Sequence, residues 1–129
     1  MIKNNNRTIN LLLILWMIVI VILSIIPMNQ ETKIEIGGTP FRLDYLEHFG
    51  VFFILGFLYV LSPKKDLPKY INKISILIIY AVITEIIQLF IPGRTFNPWD
   101  LIYNILGFVV GYILINQIIK NKVRREYVR

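Results

Sequence analysis

The chain has 129 residues, of which 56% are hydrophobic, and its mean hydropathy is +0.63. This length suits one domain, and the hydrophobic content exceeds that of ordinary soluble domains. The formal net charge is +6, and the absence of cysteine excludes disulfides, cysteine nucleophiles and cysteine-ligated metals.

Four apolar blocks of 18 or 19 residues dominate the sequence: residues 9–26, 43–61, 74–91 and 101–119. At 1.5 Å per residue, each block would form a helix roughly 27–29 Å long, close to the ~30 Å hydrocarbon core of a bilayer. We therefore predict an all-α fold, an integral membrane four-helix bundle that forms a single domain over residues 1–129. The first block is predicted to be retained, because its apolar run is too long for a signal peptide.

Basic residues alternate between the connections of these four helices. Eleven of the 14 Lys and Arg residues lie before the first helix, between the second and third, and after the fourth. The other two connections hold only Lys33, Arg42 and Arg94. This positive-inside pattern predicts a multi-pass plasma-membrane protein with both termini cytoplasmic. It favours membrane lipids as partners of the basic segments and argues against nucleic acid.

The two predicted outer connections differ in character. In the first, the segment KIEIGGTP is compatible with either a short β-hairpin or an interfacial loop. In the second, Pro92 and Gly93 are predicted to end the third helix. Asn97 and Pro98 are predicted to start the fourth, as N-cap and first helical residue.

Polar residues occur near the outer end of three predicted helices, at spacings that place each set on one helix face. They are Asp44, Glu47 and His48 on the second helix, Glu85 and Gln88 on the third, Asp100 and Asn104 on the fourth, and Arg94 in the last connection. A charged side chain facing lipid costs about 2.5–3.5 kcal/mol. We therefore predict an outward-opening cup, with Glu85 on its floor, about 9 Å below the helix end at residue 91, and Arg94 at its rim.

Several of these residues also have structural interpretations. Asp44 and Glu47 fit a capping box at the start of the second helix, and Asn97 and Asp100 have a similar spacing on the fourth. Asn104 is compatible with an interhelical hydrogen bond. Both interpretations leave a site role open.

The remaining candidate residues have other interpretations. Gly107 and Gly111 form a G-x-x-x-G pair, which indicates close helix packing. Arg94 fits a lipid-phosphate anchor or a partner for Glu85. His48 and Glu85 are needed neither to start nor to stop a helix, so a functional role is favoured for both.

These motifs, in this order, resemble the VanZ-like family over about residues 40–115. They are D-x-x-x-H (Asp44, His48), E-x-x-Q (Glu85, Gln88), P-G-R (Arg94) and D-x-x-x-N-x-x-G-x-x-x-G (Asp100, Asn104, Gly107, Gly111). Tyr45 replaces a lysine that is common in the family. The resemblance implies a small bacterial multispan protein of the plasma membrane, linked to resistance against the lipoglycopeptide teicoplanin. It implies no established biochemical activity.

Two functions compete on these residues. In the first, the cup binds a lipid headgroup, a lipid-linked cell-wall precursor or a lipidated antibiotic, with Arg94 holding a phosphate or carboxylate. In the second, the protein is a membrane-embedded enzyme acting on a lipid-linked envelope substrate, with Glu85 or His48 as general base. Asp44 or Asp100 would then orient the base, and Arg94 would stabilise negative charge.

The sequence names no nucleophile and no cofactor. The serines at positions 24, 62 and 75 are predicted to lie outside the polar cluster. No metal site is predicted, although a hard divalent ion held by Asp44, His48 and Glu85 stays conceivable. A transporter would be expected to carry deeper polar residues or inverted repeats, and the sequence has neither.

Overall fold

The computed structural model describes residues 2–27, 33–37, 39–62, 73–94 and 96–127. This part of the chain contains four helices and one β-hairpin. The elements in order are α1 (Ile2–Ile25), β1 (Lys33–Ile36), β2 (Thr39–Arg42), α2 (Asp44–Leu61), α3 (Lys73–Gln88) and α4 (Pro98–Tyr127). The predicted four-helix architecture is confirmed, and the first connection is the hairpin rather than an interfacial loop.

Three of the described helices are long and apolar enough to cross a bilayer. They are α1 over Arg7–Ile25, α2 over Asp44–Leu61 and α4 over Pro98–Glu126. The fourth, α3, carries a shorter apolar stretch, Ser75–Gln88. The predicted basic connection between α2 and α3 lies almost wholly outside the described residues.

The end of α3 differs from the prediction. The helix stops at Gln88 instead of residue 91, because the next amides bond three residues back: Leu89 N to Ile86 O, for example, at 3.1 Å. Gly93 then adopts a positive φ of 81° and completes the turn. Glu85 is therefore three residues from the helix end, about 4.5 Å, and the predicted depth of 9 Å is wrong.

The fourth helix is longer than predicted. It continues from residue 119 to Tyr127 and has 30 residues, which corresponds to about 45 Å. That length exceeds the ~30 Å hydrocarbon core. Its last turns contain Lys120, Lys122, Arg124 and Arg125, all exposed, so the basic tail is a helical extension of α4.

The hairpin pairs its two strands antiparallel, with Lys33 opposite Arg42 and Ile36 opposite Thr39. Gly37 takes a positive φ of 59° at the turn, a conformation that favours glycine. The hairpin delivers the chain directly into α2. It marks one end of the bundle, here called the hairpin end, where α1 and α3 finish and α2 and α4 begin.

Helices α2 and α4 run parallel and form the most extensive contact of the bundle. Glycines make this approach possible. A Cβ atom on Gly107 would overlap the carbonyl oxygen of Phe49, and one on Gly111 would overlap that of Phe53. Gly56 meets the α4 backbone in the same way. The packing role predicted for Gly107 and Gly111 is confirmed.

Two long side chains attach α1 to this pair and to α3. The indole nitrogen of Trp16 donates to the carbonyl oxygen of Val51 in α2 at 2.9 Å. The hydroxyl of Tyr80 in α3 donates to the carbonyl oxygen of Met17 at 2.6 Å. Each of these side chains packs an aromatic ring between helices while its polar atom forms a hydrogen bond. Together they set the position of α1 along the bundle axis relative to the other helices.

Burial among the described residues is inverted relative to a soluble domain. As many polar or charged residues as hydrophobic ones are buried. The buried polar set is Ser24, Asp44, Thr84, Glu85, Gln88, Asp100 and Asn104. Large apolar side chains are exposed instead, such as Phe90 at 81% and Ile118 at 61%. An apolar exterior around a polar interior is expected of a helical membrane protein.

Candidate functional site

A cavity lined by both polar and apolar side chains lies inside the hairpin end of the bundle. Its volume is about 180 Å³. Its polar lining residues are Ser24, Asp44, Glu47, His48, Thr84, Glu85, Gln88, Arg94 and Asn104. Six of the seven predicted binding residues line it, and the seventh, Asp100, lies behind His48. The structure thus brings the predicted residues together, while their roles stay predictions.

Three side chains from three helices form a hydrogen-bonded chain in the cavity wall. Asn104 Nδ2 in α4 donates to Glu85 Oε1 in α3 at 2.6 Å. Asn104 Oδ1 lies 3.0 Å from His48 Nδ1 in α2. An amide oxygen only accepts, so in this arrangement His48 Nδ1 carries the proton and donates it to Asn104. This chain fixes the orientation of all three side chains.

His48 is held between two carboxylates. Its Nδ1 is 3.6 Å from Glu85 Oε1, and its Nε2 is 3.7 Å from Asp100 Oδ2. Because Nδ1 bears the proton of the neutral ring, Nε2 holds the lone pair. That lone pair therefore faces the Asp100 carboxyl group.

Glu85 is the least satisfied group of the site. It is fully buried, and its Oε2 has no hydrogen-bond partner among the described residues. Leaving a buried polar atom unpaired costs about 1–3 kcal/mol, and more when the group is charged. Asn104 satisfies only Oε1, so no hydrogen bond offsets the cost of burying Oε2.

Asp44 has a different partner from the one predicted. The N-cap position of α2 belongs to Leu43, which makes no side-chain cap, so the capping box with Glu47 does not form. The Arg42 Nε instead donates to both Asp44 carboxylate oxygens at 3.1 Å, and its guanidinium also lies over the Tyr45 ring, 5.2 Å from the ring centroid. The end of the hairpin thereby orients a cavity carboxylate.

Asp100 and Asn97 behave as the capping interpretation predicts. The Asn97 side-chain oxygen accepts from the Trp99 backbone N–H at 3.1 Å. The Asn97 Nδ2 donates to Asp100 Oδ1 at 2.9 Å. Since Asp100 Oδ2 faces His48, this residue both closes the first turn of α4 and adjoins the site.

Arg94 fastens the connection between α3 and α4 to α1. Its Nε donates to the Ile26 carbonyl oxygen and its Nη2 to the Leu23 carbonyl oxygen, each at 3.0 Å. These carbonyls at the end of α1 have no partner within the helix, so the arginine satisfies them. No ion pair joins Arg94 to a carboxylate of the described residues, so the structure does not form the partnership with Glu85, one of the two interpretations of Arg94.

Sequence reasoning missed two hydroxyl residues of the cavity. Ser24 was predicted to lie outside the cluster, but the end of α1 places it in the cavity wall, buried. Thr84, next to Glu85, also lines the cavity. Ser24 Oγ donates to the Ile20 carbonyl oxygen and Thr84 Oγ1 to the Ala81 carbonyl oxygen, both at 2.8 Å. The position of Thr84, beside a predicted site residue, was the available signal.

Among the described side chains, no group of three histidines or carboxylates is arranged to hold a metal ion. The ligand set considered from the sequence, Asp44, His48 and Glu85, does not form one. The described cavity residues offer hydrogen-bonding and charged groups.

Fold and cavity together define a class: a small helical membrane protein with a cavity and buried polar side chains at one end of its bundle. The chain belongs to the VanZ/LLP1 family, whose model matches residues 9–120. The match includes α1 as well as the motif-bearing segment, and it confirms the predicted family. No curated protein and no solved structure matches the chain.

Proposed function

We propose that the cavity binds the polar head of a lipid-linked or lipidated ligand. Through this binding the protein would act on the cell envelope or in resistance to lipoglycopeptides of the teicoplanin type. The observation that carries the proposal is the buried chain of Glu85, Asn104 and His48 in the cavity wall. Polar groups enclosed in a membrane bundle are costly, and they mark sites of function.

The apolar part of the cavity supports a ligand with a lipid tail. Leu23 and Ile26 of the α1 end line the cavity and are also exposed on the outside of the bundle, at 42% and 46%. An apolar path therefore connects the polar cavity with the lipid-facing surface. A polar head in the cavity and an acyl chain along α1 would each meet a matching surface.

Resistance is the direct test of the proposal. Expression in a susceptible bacterial host is expected to raise the minimal inhibitory concentration of teicoplanin. Glu85→Gln removes the carboxylate of the buried chain and His48→Gln removes its imidazole, so both are expected to return the value to that of the empty vector. The minimal inhibitory concentration of a glycopeptide without an acyl chain should change little in any strain. Such a ligand has no apolar part to contact the apolar side of the cavity.

Gly50→Ala serves as the matched control, because a Cβ there meets no atom within 4 Å. This variant should protect as well as the parent protein. Membrane abundance of each variant is measured by immunoblot. Full protection by Glu85→Gln and His48→Gln at equal abundance would contradict a role for the cavity.

An enzyme acting on a lipid-linked envelope substrate is the second candidate, and the orientation of His48 favours it. With Nδ1–H directed to Asn104, Nε2 is left to accept a proton, as a general base must. Glu85 is the other candidate base. Turnover of a lipid-linked substrate by the purified protein, abolished by His48→Gln, would select the enzyme over the binding protein.

The orientation in the membrane is part of this proposal. The charge pattern predicts cytoplasmic termini, which would direct the hairpin end and the cavity to the extracellular side. A phosphatase reporter that is active only outside the cytoplasm, fused after Arg129, is expected to give no activity. The same reporter inserted at Gly37 in the hairpin turn should be active. The reverse result would place the cavity on the cytoplasmic side.

A further inference from the structure

The unpaired oxygen of Glu85 points to the chemistry of the ligand. Oε2 is buried in the wall of the cavity and accepts no hydrogen bond from any described residue. A carboxylate oxygen accepts hydrogen bonds and donates none. When Glu85 is ionised, the group that satisfies Oε2 therefore brings an N–H or O–H.

Four of the neighbouring side chains do not supply that donor, because their protons are already engaged. The hydroxyls of Ser24 and Thr84 donate to carbonyl oxygens of their own helices. The Asn104 amide donates to the other oxygen of Glu85, and His48 Nδ1 donates to Asn104. What the two hydroxyl groups offer to the cavity are the lone pairs of Ser24 Oγ and Thr84 Oγ1, which accept.

The charges of the lining residues also favour a ligand that donates hydrogen bonds. Among the described lining residues, three carry carboxyl groups, Asp44, Glu47 and Glu85, whereas Arg94 is the one with a fixed positive charge. Two Arg94 nitrogens bond to carbonyl oxygens of α1. Asp44 is paired with Arg42, which leaves the surplus of negative charge with Glu85 and the exposed Glu47. A cationic donor fits such a lining better than a phosphate or carboxylate.

We propose that the cavity recognises a primary ammonium group on the head of a lipid ligand, with Glu85 Oε2 as its principal acceptor. This inference rests on the proposed binding function and specifies its ligand. A primary ammonium has three N–H donors, and the cavity offers Glu85 Oε2 together with the hydroxyl oxygens of Ser24 and Thr84. A charged N–H bonded to a carboxylate is also among the strongest hydrogen bonds in proteins.

The experiment compares lipids that differ only in this group. Full-length protein is purified in dodecyl maltoside, which has no amine, and its melting temperature is measured against dihexanoyl phospholipids. Phosphatidylethanolamine is expected to raise it in a saturable way, because a ligand that binds the folded state stabilises it. Phosphatidylcholine keeps the positive charge but has no N–H, and N-acetyl phosphatidylethanolamine keeps one N–H but has no positive charge. Neither is expected to produce the shift.

Two variants connect the response to Glu85. Glu85→Gln keeps the shape of the side chain and removes the acceptor oxygen, so it should abolish the shift from phosphatidylethanolamine. Glu35→Gln removes a carboxylate from the exposed hairpin, outside the cavity, and should respond like the parent protein. If Glu85→Gln does not fold, the preference of the parent protein for phosphatidylethanolamine over phosphatidylcholine decides the question alone.

The remaining arms separate the inference from the function on which it rests. Free ethanolamine tests whether the lipid part is needed, and an equal response to it would overturn a lipid ligand. Equal shifts from all the phospholipids, or a shift that persists in Glu85→Gln, would overturn the ammonium site. A Glu85-dependent response to phosphatidylglycerol alone would overturn the ammonium and leave the binding function standing. No response to any probe would overturn both.

Discussion

Replacing Gly107 by alanine is expected to remove most of the folded protein, whereas the same replacement at Gly50 should be tolerated. The added methyl group at Gly107 would overlap the backbone carbonyl of Phe49 across the α2–α4 contact. A backbone atom cannot rotate away as a side chain can, so the helices themselves must separate. Overpacking of a tight contact typically costs about 1–3 kcal/mol, and here the upper end is expected.

Gly50 is the matched control because it lies on the same helix as Phe49, and its Cβ would meet no atom within 4 Å. Alanine there should be neutral or stabilise the helix by up to about 1 kcal/mol. Both variants are compared by fluorescence-detected size exclusion and by melting temperature in detergent. An equal yield and melting temperature for Gly107→Ala and Gly50→Ala would mean that α2 and α4 do not meet at Gly107.

The same helix pair carries the candidate site, so this variant should also lose the proposed ligand binding. The rings of Tyr45 and Tyr103 stack across it with centroids 4.9 Å apart, and the His48–Asn104 hydrogen bond crosses it close by. All these contacts require the close approach and relative position of α2 and α4 that the glycines allow. The close packing of α2 and α4 is therefore the physical condition for aligning His48 with Asn104.

The sequence predicts the glycines that α4 contributes to this packing, but not the glycine that α2 contributes. The spacing of Gly107 and Gly111 indicates a close approach, but it does not name the helix that approaches. Gly56 completes the contact from α2, and nothing in the local sequence distinguishes it from Gly50, which lies in open space. The difference depends on how two distant segments are rotated against each other, and apolar sequence around both glycines is compatible with either rotation.

For the candidate site as well, the sequence predicts where the residues lie but not which partners they contact. Apolar blocks and polar spacings predict that His48, Glu85 and Asn104 meet at one end of the bundle, because charged groups avoid lipid. Glu85, one of the two partners considered for Arg94, is not the one found, since the early end of α3 and the turn at Gly93 direct the Arg94 guanidinium to α1. Ser24 was missed because its position depends on the height of α1, which Trp16 and Tyr80 set.

Replacing Asn104 by leucine is expected to be more destabilising than replacing both Asn104 and Glu85. The single change removes the partner of Glu85 Oε1 and the acceptor of His48 Nδ1–H inside the bundle. Leaving a buried hydrogen-bonding group without its partner in this way costs about 1–3 kcal/mol, and more when the group is charged. When Glu85→Leu is added, the stranded carboxyl disappears, and replacing both members of a buried pair with apolar groups costs far less.

A double-mutant cycle measures the difference, with the free energy of unfolding of the four proteins determined in detergent. The expected coupling between Asn104→Leu and Glu85→Leu lies at the upper end of the range of about 0.5–3 kcal/mol for contacting residues. Ser62→Ala provides the control pair for Asn104→Leu, because Ser62 lies 14 residues along α2 from His48, about 21 Å. That pair should be additive. Additive effects for Asn104 and Glu85 as well would show that the two side chains do not form one buried unit, and the cavity wall would then need another explanation for its enclosed carboxyl group.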